Sequence, residues 1–520
     1  MNQSSAPGEF RILSFLALCF LSTFLFSACS KKDQQQNIIL FLVDDMGWQD
    51  TSEPFWTDTT EFNKRYHTPN MEKLADQGMK FTNAYASSVC SPTRVSLMSG
   101  MNAARHRVTN WTLRRNASND RPHPTLKLPK WNVNGMQPTD SIENAVHVTP
   151  LPQILKNNGY YTIHTGKAHF GAIGTPGADP ENLGFDVNIA GHAAGAPGCF
   201  LGEKNYSAAW RNGGNAWDVP DLEEYHGTDT YLTEALTLEA LDALKNPVEE
   251  GQPFFLYMAH YAVHVPIEAD KRFIQKYLDM GLDKTEAAYA SMIEGMDKSL
   301  GDLMKFVEEK DLADNTIILF MSDNGGLSAH ARGGEPHTHN RPLASGKGSA
   351  YEGGIREPMM VKWPGVTEPS SICDQYVIIE DFFPSILQMA GVKNPETVQH
   401  VDGESFVPFL KGKKAARDTT RELIWHYPNR WGGHGPGIGT TSTIRKGYWK
   451  LIYWYKDQSK ELYNLKNDIG EYHDLSEKNP QKVGELSRAL GEYLRSVEAQ
   501  RPRFKDSGEL VPWPDEVEAK

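Results

Sequence analysis

The chain has 520 residues, more than one hydrophobic core ordinarily spans, so a large domain with a smaller companion is expected. With 39% hydrophobic residues, 23% charged residues and no low-complexity tract, the composition is globular and excludes the fibrous and disordered classes. The 53 basic against 66 acidic residues leave a net charge of -13, which argues against nucleic acid as a partner, because phosphate binding needs a positive face; a local basic pocket for a polyanion stays open.

The first feature along the chain is Arg11 followed by the apolar run from Ile12 to Phe26 and then by SACSKKD. A run of about 15 apolar residues suits the core of a signal peptide better than a membrane span. Ser27 and Ala28 ahead of Cys29 have the pattern of a bacterial lipoprotein cleavage box, with Phe26 where Leu is more usual. Residues 1–28 are therefore expected to be a lipoprotein signal peptide and Cys29 to be lipidated, with residues 29–37 as a polar tether. The mature protein would be exported to the periplasm or cell surface and meet the membrane only through lipid. Cleavage at a neighbouring site, which discards Cys29, is the alternative. Cys19 also falls in the leader, which leaves Cys90, Cys199 and Cys373. That is no disulfide scaffold, and Cys199 and Cys373 are expected as buried thiols, with their mutual pairing as the alternative.

Two segments share one pattern: NIILFLVDDMG, from Asn37 to Gly47, and NTIILFMSDNGG, from Asn315 to Gly326. Each is an unbroken apolar run ending in acidic or amide residues and glycine, which reads as a strand buried on both faces of a parallel sheet. Ligands collect at the carboxyl ends of such strands. Between them, TYLTEALTLEALDALKN and AAYASMIEGMDKSLGDLMKFVEEK have helical periodicity, and Met292, Met296, Leu300, Leu303 and Val307 form a core-facing stripe. A further strand-like run, PFFLYMAHYAVHVP, ends in a histidine before proline.

This alternation predicts an α/β catalytic domain over residues 38–418, with a large mixed, mostly parallel sheet sandwiched by helices. Beyond a polar, basic stretch near residue 418, short strands in RELIWHY, STIRKGYWKLIYWY and ELYNL precede a helix in NPQKVGELSRALGEYLRSVEAQ. Residues 419–520 are expected to form a smaller antiparallel sheet plus helix.

Asp44 and Asp45 alone are more typical of a cap or turn than of a metal site, since adjacent carboxylates repel unless a cation or donors offset them. Adding Asp323 and Asn324 from an equivalent strand end makes an all-oxygen set, which favours Ca²⁺ or Mg²⁺ over zinc. In SSVCSPTRVSLMSG, Pro92 suits the first helical position and puts Cys90 at a helix N-terminus, where free N–H groups and the dipole favour an anion. Arg94, one turn on, could hold the same anion. A helix start with a buried filler cysteine is the plainer reading of the same residues.

The stretch CSPTR resembles the Cys-x-Pro-x-Arg signature of the formylglycine-dependent sulfatases of the alkaline phosphatase superfamily. DDMGWQD, TPNMEKLADQGMKFTNAYA, GKAHFG, SDNGG, GKGSAYEGGIREPMMVKWPG, DFFPSILQMAG and ELYNL match in the family's order, from about residue 37 to 475. The resemblance implies an alkaline-phosphatase-like fold and a sulfuric ester hydrolase in which a maturation enzyme converts Cys90 to formylglycine. The hydrated aldehyde is then the nucleophile, and its second hydroxyl allows sulfate to be expelled. It also implies that Asp44, Asp45, Asp323, Asn324 and the residue-90 oxygen hold Ca²⁺, or less commonly Mg²⁺.

By the same resemblance, Lys167 stabilises sulfate and His169 handles the second hydroxyl's proton. The chain departs from the family at Ala168, where Trp is common, which questions the pocket wall. His264 is assigned to the departing alcohol, with His260 as its competitor, Lys347 to the bridging oxygen or sulfate, and Arg94 to residue 90 and its charged partners. The substrate is expected to be a sulfated carbohydrate read by RHRVTNWTLRRN, GHAAGAPGCFLGEKNY and HYPNRWGGHGPG, with Arg115 and His426 as candidate contacts. A phosphodiester or phosphonate ester hydrolase is the alternative within enzymes, and an inactive surface lectin for sulfated glycans the alternative outside them.

Overall fold

The computed structural model describes residues 35–412 and 420–518. The signal peptide, Cys29, most of the tether and the boundary expected at residue 418 lie outside the described residues. The nine strands of the large sheet are β1 (Asn37–Val43), β2 (Met79–Tyr85), β3 (Tyr161–Gly166), β4 (Val187–Ile189), β5 (Phe254–Ala259), β6 (Thr316–Ser322), β7 (Arg356–Lys362), β8 (Ser371–Cys373) and β9 (Val377–Ile378). Their order is β8-β2-β7-β6-β1-β5-β3-β4, with β9 also on β2. Only β7 runs against its neighbours. The sheet is thus mixed and mostly parallel, with helices on both faces.

Alternation along β1 explains why its sequence is apolar throughout. Ile38, Leu40 and Leu42 enter one hydrophobic cluster, while Ile39, Phe41 and Val43 enter the other. The helix Lys284–Glu309 covers the second face with the expected stripe of Met292, Met296, Leu300, Leu303 and Val307, all buried. Its first turn is capped by Asp283, whose side chain accepts from the N–H groups of Thr285 and Glu286.

Register positions the site. β1 and β6 pair residue for residue from Asn37 with Thr316 to Val43 with Ser322, so Asp44 and Asp323 follow side by side. β5 pairs Ala259 with Leu42 and with Gly166, so the loops that begin at Lys167 and His260 leave the same edge. Charged groups from distant parts of the sequence converge because their strands end together.

The small antiparallel sheet comprises β10 (Glu422–Tyr427), β11 (Thr441–Lys446), β12 (Trp449–Trp454) and β13 (Lys460–Asn464), in that order. The helix Pro480–Ser496 buries Val483, Leu486, Leu490 and Leu494 against Ile444, Leu451 and Leu462. Gln36–Lys520 forms one unit, and a buried ion cluster stitches its two sheets together. Lys450 Nζ lies 3.0 Å from Glu352 Oε1 and 2.8 Å from Glu471 Oε1, while the Tyr85 hydroxyl donates to Glu352 Oε2 at 2.7 Å. Removing one member would strand an uncompensated buried charge, which is costly. Cys90, Cys199 and Cys373 are buried thiols, and Cys199 and Cys373 are not joined as a disulfide.

Candidate active site

Cys90 opens the helix Cys90–Ser99, every residue of which is buried. Pro92 is its third residue and not its first; the first-turn N–H groups lack intrahelical partners, so proline costs no hydrogen bond there. The helix stops at Gly100, whose φ of 71° lets its N–H return to the Ser96 carbonyl. Burial raises the Cys90 thiol, with Lys167 and Lys347 pulling the other way. An unmodified thiol at this position is held protonated and is a poor nucleophile.

Around residue 90 the structure gathers the acids and cations expected from the sequence. Lys167 Nζ is 2.6 Å from Asp44 Oδ2, Lys347 Nζ is 2.5 Å from Asp45 Oδ1, and Arg94 Nε is 2.9 Å from Asp323 Oδ2. Arg94 also donates to the Lys167 carbonyl at 2.7 Å, which ties the helix to the end of β3. Asn324 Nδ2 donates to Asp45 Oδ1 at 2.7 Å. Burial, reinforced by Asp323, raises the Asp44 carboxyl well above its ordinary range. At Asp45 burial acts in the same sense but is outweighed by Lys347, His264 and Lys167, which hold that carboxyl low.

These residues fit a divalent cation. Asp44 Oδ1, Asp45 Oδ2 and Asn324 Oδ1 are all buried without a hydrogen-bond partner, which leaves three oxygens in need of a positive charge. Asp44, Asp45 and His264 each offer a ligand atom within 4.8 Å of one another. Arg94, Lys167 and Lys347 already match Asp44, Asp45 and Asp323 charge for charge. A dication would therefore leave the site net positive and suited to an anion. The oxygen-rich donor set belongs with hard cations.

The two histidines are held as specific tautomers. His169 Nε2 lies 2.8 Å from the Thr112 carbonyl, so this nitrogen carries the proton; Ser91 Oγ, 3.0 Å away, supports it. Nδ1 has no partner, and Gly195 packs directly against that edge of the ring, where any Cβ would overlap it. Burial and the Lys167 charge keep His169 neutral, so its Nδ1 lone pair is available as a base. His264 donates from Nδ1 to the Val265 carbonyl at 2.9 Å and places Nε2 3.6 Å from Asp45 Oδ2. Burial, with the Lys347 charge, lowers His264 to about 3. His260, its competitor, is buried against Phe41 and bonded to Ser299, away from the cavity.

A cavity of about 910 Å³ opens from this centre, lined at its base by Cys90, His169, His264 and Lys347. Each of the three loops singled out in the sequence reaches it, through Trp111, through Gly195 and Ala196, and through Trp431 to Gly433. The two individual contacts chosen within or beside them are corrected. His426 is buried with both ring nitrogens engaged, Nδ1 with Ser442 Oγ at 2.7 Å and Nε2 with the Gln500 carbonyl at 2.8 Å, so it has nothing left for a ligand. Arg115 is exposed and is not among the residues that line the cavity. Ala168 is in the hydrophobic core and is not among the residues that line the cavity. Ser118 to Pro122, Arg211, Trp217 and His330 line the cavity and were missed. The only signal for Arg211 and Trp217 was a pair of tryptophans flanking a glycine pair in AWRNGGNAW.

Residues 36–392 match the family model described as Sulfatase, which covers more than half of the chain. The chain belongs to the sulfatase family. Residues 346–500 of the sulfatase also match the model of the N-sulphoglucosamine sulphohydrolase C-terminal region. It is 31% identical to a sulfatase of Formosa agariphila over 95% of each chain, and 28% identical to human N-acetylgalactosamine-6-sulfatase over 90% of this chain and 87% of that one. The crystal structure of Ps i-CgsB in complex with k-i-k-neocarrahexaose superposes with a TM-score of 0.69 at 28% identity, covering 89% of this chain and 93% of that one. The protein is thus a sulfuric ester hydrolase with the alkaline-phosphatase-like architecture of its relatives.

Proposed function

We propose that this sulfatase is an exported enzyme that hydrolyses an O-sulfate ester on a carbohydrate, using formylglycine made from Cys90 and a divalent cation, Ca²⁺ in preference to Mg²⁺. The observation that carries the reading is the meeting of Cys90, His169, His264 and Lys347 at the base of one cavity, with Lys347 bound to Asp45 and Lys167 to Asp44 and three orphaned buried oxygens on Asp44, Asp45 and Asn324. A catalytically silent lectin has no need of that full set.

Formylglycine supplies, as its hydrate, an oxygen nucleophile for sulfur and a second hydroxyl through which sulfate can be expelled. Asp44, Asp45, Asp323 and Asn324 would hold the cation, which would supply positive charge for binding sulfate. Lys167 and Lys347 orient the sulfate and stabilise its charge, each anchored by a carboxylate. His169 takes a proton at Nδ1, and Thr112 keeps Nε2 protonated meanwhile. His264, at the cavity side of Asp45, rests neutral with its one proton on Nδ1, so it serves the departing alcohol by taking a proton from solvent at Nε2 and passing it on. Arg94 holds Asp323 and the backbone of Lys167 in place.

The carbohydrate class is supported by tryptophans 111, 217 and 431 in the cavity wall, since indole faces suit the apolar faces of sugars. It is supported also by the N-acetylgalactosamine-6-sulfatases and the oligosaccharide-bound relative. Export rests on the leader and on Cys29 as lipid acceptor. Sulfate release from defined sulfated saccharides, by protein co-expressed with a formylglycine-generating enzyme, tests the reading. Release from none of them, with formylglycine verified by mass spectrometry, would overturn it.

A further inference from the structure

We infer that the cavity selects substrates carrying a second anionic group, a sulfate ester or a carboxylate on a sugar next to the one desulfated, and that Arg121 and Arg211 bind it. This rests on the reading of the cavity as a sulfated-carbohydrate site. Two chains of contacts lead outward from the catalytic centre, each ending in an arginine.

On one wall, the Trp431 indole lies on Gly348, the residue after Lys347. A Cβ at Gly348 would come within 2.3 Å of the ring. His330 packs against the same indole, with ring centroids 5.5 Å apart. Arg121 stands beside the next residue, its Nε 3.7 Å from a Cβ built on Gly432. Elsewhere in the lining, Gly195 touches the His169 ring, and Arg211 donates to the carbonyl of Pro197, two residues further on, at 3.3 Å. Trp217 pairs there with Trp111, with centroids 6.4 Å apart, and Trp111 precedes the Thr112 that holds His169. The same cavity lining thus holds Trp111, Trp217 and Trp431 together with both arginines.

Among the described residues neither guanidinium forms a salt bridge; Arg211 acts on the Glu268 carboxyl only at longer range. The one acid in the cavity lining, Asp120, is spent on the protein. It accepts from Asn110 at 2.7 Å, Asn429 at 2.8 Å, Ser118 at 2.9 Å, Trp131 at 3.1 Å and the Arg430 N–H at 3.3 Å. Those bonds clamp the loop of Arg121 to the loop of Trp431 and occupy the oxygens of Asp120; the lining then sets two guanidinium charges against one carboxylate. A planar guanidinium matches the paired oxygens of carboxylate or sulfate. At about 910 Å³ the cavity is near the upper end of ordinary ligand sites and has room for more than one sugar.

The test is calorimetric titration of full-length Cys90→Ala protein with disaccharides built on galactose sulfate and on N-acetylgalactosamine sulfate. In each series the neighbouring sugar carries a hydroxyl, a sulfate, a carboxylate or its methyl ester. The second anion is expected to tighten Kd about tenfold or more, and esterification to cancel the gain. Comparing the sulfate and carboxylate arms tells which source the site takes. Arg121→Ala and Arg211→Ala should each shrink the ratio, the double variant should bring it near one, and Arg115→Ala should preserve it. Equal affinities across the probes, or a ratio that survives in the double variant, would overturn the inference. Turnover by the matured wild type is measured separately: sulfate release without anion preference removes only this inference, and preference without release removes only the catalytic reading.

Discussion

Arg94 grips Asp323 with two nitrogens, Nε and Nη2 each 2.9 Å from Oδ2, and both side chains are wholly buried. The pair locks the helix that begins at Cys90 to the end of β6, across 229 residues of sequence. Deleting one partner leaves a buried charge uncompensated, at about 3–5 kcal/mol. Arg94→Leu should lower the unfolding free energy in urea by that amount, and adding Asp323→Asn should recover part of it. A loss under about 1 kcal/mol in the single variant would mean that the pair does not hold the helix.

Cys90→Ala removes the precursor of the nucleophile while leaving the helix start intact. Sulfate release should fall at least about a thousandfold, with a stability change of only about 1 kcal/mol. Retained turnover would rule out residue 90 as the source of the nucleophile.

The oxygen set predicts a cation response that needs no turnover to be seen. In Cys90→Ala protein stripped with chelator, free Ca²⁺ at a hundred times its Kd should raise the unfolding free energy by about 2.7 kcal/mol. Asp45→Asn should abolish most of that response, and Mg²⁺ should give a smaller one. A melting midpoint indifferent to either ion would contradict the cation assignment.

His426 predicts a pH dependence of stability. Burial, aided by the Arg107 charge, lowers this imidazole to about 4, against about 6.5 when unfolded. Between those values the unfolded chain binds more protons than the folded one, so stability is lost as pH falls through that window and levels off below it. Each pH unit is worth up to about 1.4 kcal/mol per proton. His426→Gln should flatten the slope of unfolding free energy between pH 4.5 and 6 by about 1 kcal/mol per unit. An unchanged slope would show that His426 is already charged in the fold.

What was legible in the sequence follows a physical rule. Asp44 and Asp323 come directly after apolar strands, Lys167 directly after β3 and His264 in the loop after β5, and parallel strands in register end at one edge. His264 beside the carboxylates, with His260 turned into the core, is consistent with the spacing to proline that favoured it. The tautomer of His169 was not legible, because it depends on the carbonyl of Thr112, 57 residues away.

The outer cavity shows the opposite case. His426, in a loop rich in aromatic and basic residues, looked like a ligand contact, yet β10 turns it inward to Ser442 and Gln500. Arg121, Arg211, Trp217 and His330 carried no periodic signal, since loops have none, and they meet only because the sheet and its helices bring three separate segments around one opening.

The sequence by itself determined the strands, the acids and cations at their ends, a helix N-terminus beside Cys90 and the family these imply, because hydrophobic period and short-range motifs are local properties. Only the tertiary structure decided which ring nitrogens face the reaction centre, which oxygens are left for a cation and which arginines look into the cavity, because those are distances between residues that only packing brings together.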